Sequence, residues 1–169
     1  MAAQRGREAV GVALLLLAGC AKVASPASAG ADLAAAAPGE DGADCSHSIR
    51  EIADGFKDLF YDKGKVREAY QTYVAEDYIQ HNPRAQNGRA AAIASLEPIY
   101  QANPQHRMIV HRMIVEDPYI VVHLHGQSSP EDPGAAAVDI LRVEDCRIVE
   151  HWDVTQRVPA ETVNGNGMF

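Results

Sequence analysis

Asp139 is the residue of this chain that is best placed to do chemistry. It lies among Val138, Ile140 and Leu141, in a run that is otherwise apolar. A carboxylate is costly to bury in such a setting unless it has a partner or a function. In an apolar pocket it can remove a proton from a carbon next to a carbonyl group. Asp139 is therefore the candidate base, and the alternative is a structural aspartate paired with an arginine or a histidine.

Two histidines form a second group of candidates. His123 and His125 lie in the strand-like run from Tyr119 to Gly126, where alternation places both on one face. An imidazole can donate or accept a proton near neutral pH. The alternative for each is a histidine that is bonded to a neighbour and inert. The two precede Glu131 at a spacing close to part of a cupin metal motif, but no second such motif follows, and we expect no metal.

Asn82 and Trp152 complete the predicted site. Asn82 precedes Pro83 and could hydrogen-bond a substrate oxygen, although Asn-Pro is also a common turn opener. Trp152 could form the wall of a pocket, or simply belong to the core. Because side chains alternate along a strand, Trp152 and His151 point to opposite faces, and only one of them can face the pocket. The sequence leaves that choice open.

The order of the elements indicates an α+β fold. Ser46 or Ser48 can cap the first helix, and Glu51 follows Ser48 at the spacing of a capping box. Helical periodicity follows, and Gly64 ends this helix. The later strands include a β-hairpin that turns at Glu144-Asp145-Cys146. Helices first and strands last are typical of α+β domains. The remaining predicted elements are helices over Lys65–Val74 and Arg89–Gln101, the latter kinked at Pro98, an extended piece Tyr78–Gln80, and strands over Arg107–Val115, Tyr119–Gly126, Ala135–Glu144 and Arg147–Thr155.

Several segments together resemble the SnoaL-like polyketide cyclases of the nuclear transport factor 2-like superfamily. The resemblance covers about Ile49 to Phe169. Members of this family typically form a cone, in which a strongly curved antiparallel sheet wraps around a pocket closed by N-terminal helices. The resemblance rests on DYIQHNP at Asp77–Pro83, on His125 followed fourteen residues later by Asp139, on RVEDCRIVEHWDV at Arg142–Val154, and on NGNGMF at Asn164–Phe169.

The resemblance also implies site roles and an activity. In the family a histidine and an aspartate at this spacing line the pocket, and the aspartate is the acid/base group. It implies that Asp139 and His125 are catalytic, whereas Asn82, His123 and Trp152 are candidate substrate-binding residues by their own residue types and positions. We expect cofactor-free catalysis on a small oxo compound, as aldol-type cyclisation or condensation, or as enolisation and isomerisation. The alternative is a non-catalytic lipoprotein that binds a small apolar ligand, because one fold hosts enzymes and binders alike.

The N-terminal part of the chain has the features of an export signal. A short apolar run, Ala9–Leu17, leads into Ala18-Gly19-Cys20. This pattern predicts a bacterial lipoprotein that is acylated at Cys20 and tethered to a membrane surface, and the alternative is an ordinary secretory signal cut near Ala29. The following stretch is rich in small residues and is predicted to be a flexible tether. The predicted parts are a signal peptide over 1–19, a tether over 20–44 and a SnoaL-like domain over 45–169.

Charge and cysteine content limit the partners and the compartment. A net charge of −8 gives the chain no electrostatic footprint for nucleic acid. Anionic lipid also repels it, so we expect membrane association through the lipid anchor alone. The protein is then an exported, membrane-anchored bacterial lipoprotein with a small apolar or oxo-compound ligand, and a homodimer is a further expectation. Cys45 and Cys146 remain for a disulfide in an oxidising compartment, the alternative being two unpaired thiols.

Overall fold

The computed structural model of the chain describes residues 46–169. The predicted signal peptide, the tether, Cys20 and Cys45 lie outside the described residues. Three α-helices and five strands follow in the order α1, α2, β1, α3 and β2 to β5. Their bounds are α1 Ile49–Phe56 with a π-helical continuation Lys57–Asp62, α2 Val66–Tyr73, β1 Val74–Gln80, α3 Arg89–Ala102, β2 Arg107–Glu116, β3 Tyr119–Gln127, β4 Ala135–Glu144 and β5 Arg147–Arg157.

The helices follow from local signals that the sequence already carries. The Ser48 side chain accepts from the backbone N–H of Glu51, and the Glu51 carboxylate accepts from the backbone N–H of Ser48, so the predicted capping box is confirmed. Gly64 adopts a φ of 62°, a left-handed conformation that ends the first helical segment. Helix α3 continues through Pro98 without ending there.

The strands form one open sheet in the order β1-β5-β4-β3-β2. Strands β2 to β5 pair antiparallel, as predicted. Strand β1 is longer than the predicted Tyr78–Gln80 piece and pairs parallel with β5, so the sheet is mixed and the expectation of an all-antiparallel sheet is corrected. No hairpin links β1 to β5, because α3 and three strands separate them in the chain, and a parallel pair needs such a long connection.

The hairpin between β4 and β5 is closed by a two-residue turn. Asp145 and Cys146 both have positive φ angles, of 46° and 58°. Two consecutive residues with positive φ are the mark of a type I′ turn, whose twist matches that of the flanking strands. Glu144 pairs with Arg147 across this turn, which confirms the predicted hairpin.

All three helices pack on one face of the sheet, which we call the inner face. Aromatic rings from α1, its π-helical continuation and α2 contact one another in the core, with Phe56 and Phe60 centroids 5.2 Å apart. Ile120, Val122 and Leu124 of β3 complete the core from the sheet side. The opposite, outer face carries exposed apolar residues such as Ile114 and Tyr119. Within residues 46–169, every helix is too short or too polar to cross a bilayer.

We predict that Cys45 pairs with Cys146. Cys146 Sγ lies 3.5 Å from the carbonyl oxygen of His47, two positions from Cys45 in sequence, so the turn and the start of the domain are adjacent. The pairing would close a loop of about 100 residues, worth up to about 4–5 kcal/mol by loop entropy. Peptide mapping of the exported protein without reductant should recover the linked peptides. Recovery of both cysteines as alkylated thiols would contradict the pairing.

Candidate functional site

A cavity of about 160 Å³ lies between the helices and the inner face of the sheet. Its helix side is apolar and aromatic, with Phe56, Phe60 and Leu96 among its walls. Its sheet side is polar and presents Asp139, His151 and Asp153. Here a carboxylate and an imidazole that lie 3.5 Å apart line a largely apolar cavity.

Asp139 projects from β4 into this cavity. Its cross-strand neighbours are Val122, which is fully buried in the core, and Asp153. Directly opposed residues share a face, so Asp139 faces the helices. The hydroxyl of Tyr61 donates a hydrogen bond of 2.7 Å to Oδ2 of Asp139. Burial, and then the charge of Asp139, raise the pKa of Tyr61 well above its ordinary value, so the phenol stays protonated and remains a donor.

His151, and not His125, is the imidazole beside Asp139. Its Nε2 lies 3.5 Å from Oδ1 of Asp139, and both side chains are mostly buried. On its other side, Nδ1 lies 3.0 Å from Oε1 of Gln80. The same Oε1 is 2.8 Å from the backbone nitrogen of Asn82, and a backbone N–H group can only donate. Oε1 is therefore the acceptor, and His151 must carry its hydrogen on Nδ1.

This tautomer leaves Nε2 of a neutral His151 without a hydrogen, facing Oδ1 of Asp139. If both groups were deprotonated at the facing atoms, lone pairs on Nε2 and Oδ1 would face each other in a largely apolar cavity. A single proton, held on Nε2 as imidazolium or on the carboxyl group, removes that repulsion. The pair can therefore take one proton from a ligand while giving another.

The structure separates His123 and His125 from Asp139. His125 pairs with Ala136, an odd number of positions along β4 from Asp139, so the two side chains lie on opposite faces. His125 Nε2 lies 2.8 Å from the carbonyl oxygen of Pro133, and its ring stacks on Phe169 with a centroid distance of 4.3 Å. His123 Nδ1 accepts from Arg112 on the same outer face. The expected contact between His125 and Asp139 is thus not formed, and neither histidine lines the cavity.

Trp152 also lies on the outer face, where it stacks on His81 with centroids 4.7 Å apart. It pairs with Ile140 across the strands, and it does not line the cavity. Asn82 does reach the cavity, as predicted, and its amide donates to Oδ2 of Asp153 at 2.6 Å. Asn82 also keeps a turn role, since its Oδ1 accepts from the backbone N–H of Arg84.

Four residues of the site were absent from the predicted set: Tyr61, Gln80, His151 and Asp153. Alternation along the last strand places His151 and Asp153 on one face and Trp152 on the other. It does not say which of the two faces is turned toward the cavity. Tyr61 follows helical periodicity and looks like a core residue, which it also is. Gln80 carries no signal in sequence that points to His151.

The described residues contain no cluster of three or more histidine, cysteine, aspartate or glutamate side chains arranged to hold a metal ion. The proposed alternative set included Glu131, which is exposed, and His123 and His125, which contact Arg112 and Pro133 as described. Inside the cavity, the side chains that could ligate a metal ion are one imidazole and the carboxylates of Asp139 and Asp153. Asp153 already accepts a hydrogen bond from Asn82.

Removal of the Tyr61 hydroxyl tests how firmly Asp139 is held. In Tyr61→Phe the carboxylate loses a charge-assisted hydrogen bond while the ring is kept, so the free energy of unfolding should fall by about 1.5–3 kcal/mol. Tyr119→Phe is the matched control, because Tyr119 is 43% exposed and lies on the outer face. Urea denaturation of the two variants measures the difference. Equal stabilities would show that the Tyr61–Asp139 bond contributes nothing.

The described part of the chain is thus an α+β domain with a helix-covered cavity that Asp139 and His151 line. The family model for SnoaL-like polyketide cyclases matches residues 51–162, so this chain belongs to that family. No curated protein matches the chain.

Solved structures with the same fold come from several bacteria. A putative polyketide cyclase of Bacillus cereus is 22% identical over 66% of this chain and 80% of its own, with a TM-score of 0.52. One from Acidithiobacillus ferrooxidans is 16% identical over 66% and 90%, with a TM-score of 0.51. A putative isomerase of the SnoaL-like family from Agrobacterium tumefaciens is 17% identical over 64% and 97%, with a TM-score of 0.52. These structural matches show a shared nuclear transport factor 2-like fold.

Proposed function

We propose that this protein is a cofactor-free acid/base catalyst that enolises a small oxo compound. The observation that supports this most strongly is the Asp139–His151 pair, with Nε2 and Oδ1 3.5 Å apart in a cavity that is otherwise lined mainly by aromatic and aliphatic groups. In this proposal Asp139 keeps the role of base that the sequence assigned to it, and His151 takes the role of proton partner that the sequence assigned to His125.

The geometry of the pair suits enolisation. With the shared proton on His151, the Asp139 carboxylate removes a proton from the carbon next to the carbonyl. The C–H electrons form the new C=C bond, and the carbonyl π electrons move to oxygen. Nε2–H of His151 donates its proton to that oxygen, which gives the enol. The pair still holds one proton, now on Asp139, which can return it to carbon at the same or a conjugated position.

The acid and the base are close enough to act on one carbonyl unit. The α-carbon and the oxygen of a ketone are separated by two bonds, and Oδ1 and Nε2 are 3.5 Å apart. Tyr61 holds Oδ2, so Oδ1 is the oxygen left for substrate. Gln80 fixes the imidazole ring by accepting from Nδ1. Return of the proton completes an isomerisation, and attack of the enol on a second carbonyl of the same compound completes an aldol-type cyclisation.

Exchange of α-hydrogens tests this function without knowledge of the natural reaction. Cyclohexanone is incubated with the protein in heavy water near neutral pH, and loss of its α-hydrogen signal is followed by proton NMR. The proposal predicts exchange well above that of protein-free buffer and saturation with ketone concentration. Saturable binding of the ketone without any excess exchange would contradict catalysis and would favour the non-catalytic binding lipoprotein.

We also propose that the protein is exported and acylated at Cys20, on the support of the Leu17-Ala18-Gly19-Cys20 sequence after a short apolar run. Expression in a bacterium fed with labelled palmitate should give a labelled, membrane-associated protein, and Cys20→Ser should give an unlabelled one. Globomycin should block processing of the unsubstituted chain. A Cys20→Ser protein that is still labelled and membrane-bound would contradict acylation at this residue.

A further inference from the structure

The cavity is small compared with ordinary ligand sites. Its volume of about 160 Å³ is close to that of an engineered cavity of about 150 Å³ that binds benzene. Sites for drug-sized ligands usually measure about 300–1,000 Å³. The space beside Asp139 thus fits one six-membered ring with small substituents.

The walls of the cavity resist enlargement. Phe56 packs edge-on against Tyr61 and Tyr70, with centroid distances of 5.8 and 5.7 Å. Phe60 in turn packs against Tyr70 at 5.5 Å. These rings belong to the buried core, where side chains interlock at crystal-like density. Admission of a second fused ring would displace this cluster and would cost stability.

The charges at the cavity disfavour an anionic ligand. Its lining residues include Asp139 and Asp153 but neither lysine nor arginine. A carboxylate in the ligand would lose its hydration and gain no cation in exchange. It would also meet the Asp139 carboxylate at short range. The Gln80 and Asn82 amide nitrogens already donate one hydrogen bond each, to Tyr78 and Asp153, and each has a second N–H that suits a neutral oxygen acceptor.

We propose that this site accepts an uncharged oxo compound no larger than one six-membered ring with small substituents, and that it excludes fused-ring and carboxylated relatives. The inference rests on the proposed function insofar as it takes the Asp139–His151 cavity as the reaction site. It assigns the protein to isomerisation or condensation of small carbonyl compounds, and not to closure of the last ring of a polycyclic product.

Binding measurements with three ketones test the proposal separately from catalysis. The probes are cyclohexanone, cyclohexanone that carries a ring carboxylate, and tetralone, which has two fused rings. Ligand-observed NMR on the full-length protein near neutral pH gives a dissociation constant for each. Cyclohexanone should bind saturably, and each of the other two should bind weaker by about tenfold or more. Absence of cyclohexanone binding, or equal affinity for either relative, would overturn the proposal.

Two variants test size and charge independently. Leu96→Ala enlarges the helix-side wall and should improve tetralone binding relative to cyclohexanone by several-fold. Ser95→Arg places a cation at a lining position that is exposed, so the fold should tolerate it, and it should improve binding of the carboxylated ketone. Circular dichroism checks that each variant is folded. Unchanged selectivity in a folded Ser95→Arg protein would overturn the charge argument, even if Leu96→Ala does not fold.

The outcomes separate this proposal from the proposed function. Selective binding of cyclohexanone without α-hydrogen exchange would support the size and charge limits and contradict catalysis. Exchange of α-hydrogens in tetralone at the rate seen for cyclohexanone, dependent on Asp139, would support catalysis and overturn the size limit.

Discussion

Asp139→Asn should lower the rate of α-hydrogen exchange in cyclohexanone by about 10²–10⁴, the usual contribution of general acid–base catalysis. Asparagine keeps the shape of the side chain and an oxygen that can accept from Tyr61, but it cannot accept the proton from carbon. The dissociation constant of cyclohexanone should change much less, because the apolar walls supply most of the contact. Exchange is followed by proton NMR in heavy water at saturating ketone.

Asp54→Asn is the control for this substitution. Asp54 lies on α1, its side chain is 59% exposed, and it pairs only loosely with Arg50 at 3.8 Å. The Asp54→Asn substitution removes the same charge outside the cavity, so this variant should exchange the α-hydrogens of cyclohexanone at the rate of the unsubstituted protein. A folded Asp139→Asn protein with full exchange activity would remove Asp139 from the mechanism. If Asp139→Asn fails to fold and no ketone is ever turned over, Asp139 is a structural aspartate.

Ile148→Ala should lower the free energy of unfolding by about 2–5 kcal/mol, the range for truncation of a buried isoleucine. Ile148 is fully buried and lies at the junction of two pairings, opposite Val74 of β1 and Val143 of β4. Truncation would leave a cavity where the parallel edge strand joins the hairpin, and the surrounding strands can fill it only in part.

Ile114→Ala is the matched control, because Ile114 is 61% exposed on the outer face of β2. Its effect should stay within about 0.5 kcal/mol, as is usual for surface substitutions. Urea denaturation of both variants gives the comparison. Equal losses would mean that the junction of β1, β5 and β4 is not part of the cooperative core.

The elements of the fold could be predicted because their signals are local. Short segments of sequence specify the capping box at Ser48 and Glu51 and the alternating strands, and the structure confirms both. The parallel pairing of β1 could not be predicted in this way, because it joins Val74–Gln80 to the last strand of the domain. That pairing depends on a long connection, and no short pattern specifies it.

The face of each side chain in the site was harder to predict, and a single bulge explains much of the difficulty. Between the Val143–Ile148 and Arg142–Glu150 pairs, Val149 is an extra residue in β5. A bulge of one residue reverses the face of everything beyond it. Strict alternation from Ile148 would place Trp152 on the same face as Ile148, but Ile148 lies in the core and Trp152 lies on the outer face.

The position of His125 was set by a loop whose geometry the sequence does not specify. The segment between β3 and β4 is closed by Asp132, whose carboxylate accepts from the backbone N–H groups of Ser128 and Gly134. The Ser128 hydroxyl, which also donates to this carboxylate, and then the two backbone N–H groups hold the pKa of Asp132 down at about 2. The register that results places His125 opposite Ala136 and Val122 opposite Asp139. A shift of one residue in the β3–β4 register would have turned the face of β3 that carries His123 and His125 toward the cavity.

A structure of the protein with cyclohexanone bound tests the central claim most directly, because it locates the reacting carbon relative to the base. The account predicts the ketone in the cavity, with an α-carbon about 3–3.5 Å from Oδ1 of Asp139 and its oxygen directed toward Nε2 of His151. A ketone held at the outer face near His123 and His125, or in the cavity with both α-carbons turned away from Asp139, would contradict it.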